Sequence, residues 1–163
     1  MSRGLQQWDR FVAWLQANSE ELLIGAIVAA ILVAVMLVLR SIGARITSAD
    51  PECRSWRSVI GRVLAKTSLG FMIIAAVEVV LAYAELPPRI GRAWEGLFII
   101  AFALQGAVWA RELVLGVISR RVSEDASETT LGNAVSIIRV LVSVAVFAIA
   151  IIVILDNLGV NVT

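Results

Sequence analysis

Histidine is absent from the 163 residues, and cysteine occurs once, at Cys53. With a single thiol no disulfide can form within the chain. Without histidine the usual zinc and haem ligand sets cannot be assembled. Cys-His and Ser-His-Asp nucleophiles are excluded for the same reason. Charge is also scarce: 17% of residues are charged and 60% are hydrophobic, against roughly 45–50% apolar residues in soluble domains. A formal net charge of +1 gives no hold on an acidic partner. No phosphate-cradling loop, Walker lysine or dinucleotide glycine pattern is present, and no basic stretch is interleaved with aromatics. The expectation is a protein that is not an enzyme, takes no cofactor or metal and binds no nucleic acid.

What is abundant is long apolar sequence. Leu22 to Leu39 runs eighteen residues without a charge, enough at about 1.5 Å per residue to cross about 30 Å of hydrocarbon with interfacial ends. Further spans are expected over 67–86, interrupted only by Glu78, over 94–115, and over 131–158, whose core is Val140–Leu155. The first span follows Glu20 and Glu21 and precedes Arg40 rather than a small-residue cleavage site, so it reads as a retained helix and not a leader. No strand-like alternation appears, which disfavours a β-barrel. The expected fold is an all-α membrane protein with four transmembrane helices and short interfacial amphipathic helices.

Orientation follows from lysine and arginine in the connections. Residues 40–66 and 116–130, with their flanks, hold ten of these cations, while residues 1–21 and the 87–93 loop hold four. The basic loops belong in the cytoplasm, which places the N-terminus outside. In the segment 1–21, Leu5, Trp8, Phe11, Val12 and Leu15 share one helical face opposite Gln6, Asp9, Arg10 and Gln16, as expected of a helix lying on the outer surface. In the basic 40–66 loop, Asp50-Pro51-Glu52 reads as a helix start, with a cap and a first-turn proline. The helix that follows mixes Trp56, Val59, Ile60 and Val63 with Arg54, Arg57 and Arg62. Arg54, Arg57, Arg62 and Trp56 are the candidate contacts to lipid head groups, each arginine contributing roughly 1 kcal/mol at an anionic surface. An ordinary positive-inside loop explains any one of these arginines equally well. Cys53, beside them, reads as an ordinary thiol near the membrane surface.

Two polar residues fall inside spans. Glu78 and Gln105 are expected near mid-depth on neighbouring antiparallel helices, where an intramembrane carboxylate must face protein and find a partner. A hydrogen bond between them is the structural expectation, and a proton relay through Glu78 the functional one. Four-residue spacings of small residues, Gly25 with Ala29, Ala103 with Ala107 and Gly106 with Ala110, offer close helix approach.

The last 37 residues, Ser127 to Thr163, carry an acidic-Thr-Thr-Leu start (Glu128, Thr129, Thr130, Leu131), an early Arg139 and a closing Leu158-Gly159-Val160-Asn161-Val162-Thr163. This block resembles the bacterial small-conductance mechanosensitive channel family. The resemblance implies that its helix is the peripheral one preceding a Gly/Ala-rich pore helix and a cytoplasmic β-domain. It also implies a homoheptamer in which outer helices sense tension. Asp156, Asn157 and Gly159 would then form the turn into the pore helix, with residues 159–163 leading to it. The function expected is the tension-sensing membrane portion of a channel that opens under stretch and protects the cell osmotically. Its partners would be membrane lipids and copies of itself, with ions conducted only where the pore region is present, in the bacterial inner membrane with a periplasmic N-terminus. The alternatives are a structural four-helix scaffold or assembly subunit, or a proton-linked transporter subunit using Glu78.

Overall fold

A computed structural model of the protein describes residues 12–13, 16–50, 55–83, 88–124 and 131–159. The main elements are α1 (Ser19–Ala49), α2 (Trp56–Ala65), α3 (Leu69–Ala82), α4 (Pro88–Glu124) and α5 (Leu131–Asn157). No strand occurs among the described residues. Helix α1 and the stretches 90–121 of α4 and 136–157 of α5 are each long and apolar enough to cross a membrane. The protein is therefore all-helical and membrane-embedded. Helices α2 and α3 are joined by a break of 71°, and the pair makes a fourth crossing only if counted as one span.

The helices outrun the hydrophobic stretches that announce them. α1 has 31 residues, about 46 Å of helix, and continues ten residues beyond Leu39. α4 has 37 residues, about 55 Å, and carries Arg120 and Arg121 in helix where a loop over 116–130 was expected. Hydropathy marks where the apolar environment ends, whereas a helix ends where its backbone bonding stops. Neither Arg40–Ala49 nor Gly116–Glu124 contains a proline to stop it. α1 closes at Asp50, which leaves helical geometry (φ −139°, ψ 79°) directly before Pro51, where the helical region is disfavoured.

Asp50 does not begin the next helix. Ser55 does, in extended geometry (φ −108°, ψ 145°), its hydroxyl accepting from the Arg57 N–H. The Asp50 carboxylate reaches in from outside, accepting from the Ser55 N–H at 3.1 Å and the Ser58 hydroxyl at 2.6 Å. The expected outer segment over 1–21 lies mostly outside the described residues, as do Pro51, Glu52, Cys53, Arg54 and 160–163.

Contacts run in series: α1 packs on α2 and α3, these pack on α4, and α5 packs on α4. Lipid removes most of the hydrophobic drive between helices, so close approach depends on small residues. Gly25 and Ala29 are both buried, and a Cβ on Gly25 would lie 3.1 Å from the Val80 Cα of α3. Ala103, Gly106, Ala107 and Ala110 line the groove where α4 meets Val146 and Ala150 of α5. The tightest approach is elsewhere, between Gly43 of α1 and Gly61 of α2, where a Cβ on Gly43 would come within 2.5 Å of the Gly61 carbonyl oxygen.

Candidate functional site: a clasped helix break

The break begins at Lys66, where α2 stops with its N–H bonded to the Arg62 carbonyl at 3.2 Å. Thr67 and Ser68 leave helical bonding, and Ser68 restarts the chain as the cap of α3. Its hydroxyl accepts from the Phe71 N–H at 3.1 Å, from an extended backbone (φ −76°, ψ 146°). Hydroxyl residues suit this position because their side chains replace the backbone partners that a helix start lacks.

An interrupted helix leaves a donor and an acceptor without helical partners, and within a membrane bundle a neighbouring helix must supply them. Gln105 of α4 supplies both. Its Oε1 accepts from the Ser68 N–H at 3.0 Å, and its Nε2 donates to the Lys66 carbonyl at 3.3 Å. The side chain is 3% exposed. One turn further along α4, the Trp109 Nε1 donates to the Thr67 hydroxyl at 3.3 Å, and its ring meets Phe71 edge-on at 5.7 Å. Phe102 packs on the same Phe71 ring at 6.2 Å. All three residues of the break are thus held from one helix.

This register separates Glu78 from Gln105. Antiparallel helices match one residue back with about one residue forward, so with Gln105 opposite Ser68 the partner of Glu78 lies near the start of α4. It is Trp94, whose Nε1 donates to the Glu78 Oε2 at 2.6 Å. The expected Glu78–Gln105 pair was out of register by about ten residues, or about 15 Å along the axis. Glu78 also lies in the last part of a 14-residue helix, five residues before its C-cap Tyr83, rather than at its middle. Trp94→Phe deletes the donor and is expected to destabilise the bundle by roughly 1–3 kcal/mol. Glu78→Gln keeps an acceptor oxygen and should cost less than Trp94→Phe, as read by SDS titration of helical circular dichroism in detergent. Equal midpoints for both variants would refute the bond's contribution.

A second polar cluster ties α4 to α5. The Arg111 guanidinium donates to the Glu112 carboxylate and to the Ser143 hydroxyl, each at 2.7 Å, and Ser143 in turn donates to the Arg139 carbonyl at 2.7 Å. Glu112 is buried. The arginines expected to share a lipid-facing patch are dispersed. Arg57 is exposed, Arg62 lines an open pocket between helices, and Arg54 lies outside the described residues. Trp56 is exposed on one side and sits beneath the Arg120 guanidinium, 4.9 Å from the ring centroid. At the other end, α5 ends at exposed Asp156 and Asn157. Gly159 follows with φ +79°, the left-handed conformation that glycine adopts freely, its N–H bonded to the Asp156 carbonyl.

Gln105, Trp109 and Glu112 recur at four and three residues along α4 and so form one polar stripe facing the break and the cluster beyond it. That stripe was the available signal for Trp109 and Glu112, which sequence reasoning passed over. The arrangement holds a bend and joins helices. The chain matches no protein-family model, no curated protein and no solved structure.

Proposed function

We infer that this chain is the tension-sensing membrane portion of a mechanosensitive ion channel that opens under membrane stretch, relieving osmotic stress. One observation carries the reading: the apolar windows of its three spanning helices are only 11%, 17% and 6% buried within the protein. Most residues in these windows are thus half-buried or exposed and face away from the chain's own packing. Tension favours whichever conformation occupies more membrane area, and the population shifts by the difference in free energy between the two states. Helices bounded mostly by lipid change tilt without disturbing a protein core, so they respond to that force.

The break supplies the joint such a motion needs. Counted as one bent span, α2 and α3 make the second crossing with a 71° bend inside it, and a change in lateral pressure on one arm is transmitted to the other through Gln105. The resemblance of Ser127–Thr163 to small-conductance mechanosensitive channels supports the same reading, as does the glycine turn after Asn157. In this reading the chain lies in the bacterial inner membrane with four crossings and a periplasmic N-terminus. It works as a homo-oligomer, a heptamer by the resemblance, and Asp156, Asn157 and Gly159 lead towards the pore helix.

Suction applied to excised patches containing the full-length product of the reading frame tests this. A current that rises steeply with tension is expected. Patches that carry the protein and stay silent up to lysis would sink it.

A further inference from the structure

Where α1 and α2 end and α5 begins its span, Thr47, Arg62, Lys66, Arg111, Glu112 and Arg139 surround a cavity of about 330 Å³. Four helices contribute: Thr47 comes from α1, Arg62 and Lys66 from α2 and its cap, Arg111 and Glu112 from α4, and Arg139 from α5. Four cations therefore converge on one space, with a single carboxylate among the lining residues. That carboxylate is taken up by Arg111, whose Nε is also committed to Ser143. Neither the Lys66 ammonium nor the Arg139 guanidinium has an ion pair among the described residues.

A solvated basic face spreads its charges outward, where water and salt screen them. Here they come from separate helices onto a shared volume. Lys66 and Arg139 are exposed and Arg62 and Arg111 half-buried, so a soluble or head-group anion can reach the space where the four like charges repel. The stable complement is an anion with several oxygens. Arginine presents its N–H groups as a fork and lysine adds a compact point charge, the combination suited to phosphate. Basic pockets between membrane helices hold phosphate head groups by this chemistry. We propose that the cavity binds a phosphate group, carried by an anionic phospholipid or free in solution. The site stands or falls on binding alone and does not depend on the channel reading.

Lys66 is the only lysine in the chain, so its acylation by an amine-reactive reagent, followed by peptide mass spectrometry, reports on this cavity directly. The full chain would be placed in phosphatidylcholine nanodiscs at fixed ionic strength, with phosphatidylglycerol or inorganic phosphate added in separate arms. Acylation of Lys66 is expected to slow about fivefold or more in at least one arm. Protection by phosphatidylglycerol alone identifies the lipid head group, and protection by inorganic phosphate alone identifies a soluble ligand. Arg139→Gln should remove most of that protection. Arg57→Gln, which alters an exposed arginine outside the cavity, should keep it and so separates the site from general surface charge. Equal reactivity in every arm overturns the proposal, as does protection that is lost equally in both variants. The wild-type comparison decides even if Arg139→Gln fails to fold.

Discussion

Gly43→Leu is expected to destabilise the bundle by about 3 kcal/mol or more, at the upper end for overpacked positions. The reason lies in what a side chain would strike. A Cβ at residue 43 lands 2.5 Å from the Gly61 oxygen and 2.9 Å from the Ala65 nitrogen, and both are backbone atoms that cannot rotate away. Helix α2 has nowhere to retreat. On its far side Val59 is fully buried against α4, so close to Gly116 that a Cβ there would be 2.7 Å from the Val59 Cγ1. The 10-residue helix is therefore wedged between two long ones, touching each through a glycine. Any residue larger than glycine at 43 must separate α1 from α2 or drive α2 into α4. Gly106→Ala is the matched control, because a Cβ there meets nothing within 4 Å and alanine gains roughly 0.5–1 kcal/mol in a helix interior. The two variants should move the SDS unfolding midpoint in opposite directions, followed by circular dichroism. A Gly43→Leu midpoint at or above that of Gly106→Ala would show that the crossing is looser than described.

The sequence announces its helices far better than their partners. The run from Leu22 to Leu39 is unmistakable because lipid imposes one requirement on every residue in it. The extension to Ala49 leaves no trace in hydropathy, since backbone bonding continues with any side chain that tolerates a helix. Gly25 and Ala29 were legible as a contact because their four-residue spacing lies within one helix. Gly43 and Gly61 were not, because they lie on different helices and their meeting depends on the angle at which α1 and α2 cross. Glu78 and Gln105 show the same limit: each was recognisable as a residue needing a partner, but partner choice depends on register. The break at Lys66–Ser68 fixes that register, and an apolar sequence starting at Thr67 gives no angle for it. The arginines of α2 were read as one patch because they are close in sequence. Arg57 and Arg62 are five residues apart, which on a helix sends them in different directions.

Gln105→Leu is the second substitution with a large expected effect, and it tests whether the break is held or merely adjacent to α4. Leucine fills nearly the same space but leaves the Ser68 N–H and the Lys66 carbonyl without the partner each now has. A group left unpaired costs about 1–3 kcal/mol where water is excluded. Both bonds are part-buried, so losing the two should cost at the lower end of about 2–6 kcal/mol. The protein has two ways to lower that cost: straighten the bend until the helix bonds itself, or open the joint to water. Both change the 71° angle, so spin labels on α2 and α4 should report a shifted or broadened distance. Gln105→Glu separates the two halves of the clasp. It keeps an acceptor for the Ser68 N–H while placing a second oxygen against the Lys66 carbonyl. Amide exchange at Ser68 should therefore accelerate strongly in Gln105→Leu and only modestly in Gln105→Glu, while both variants lose stability. If the bend also serves as the joint of a tension sensor, Gln105→Leu should shift the opening threshold of the full-length protein. Trp94→Phe, with comparable loss of stability but no contact with the break, should leave that threshold in place. Equal shifts in both would mean that the threshold follows overall stability, and the clasp would then have no role in sensing beyond holding the helices together.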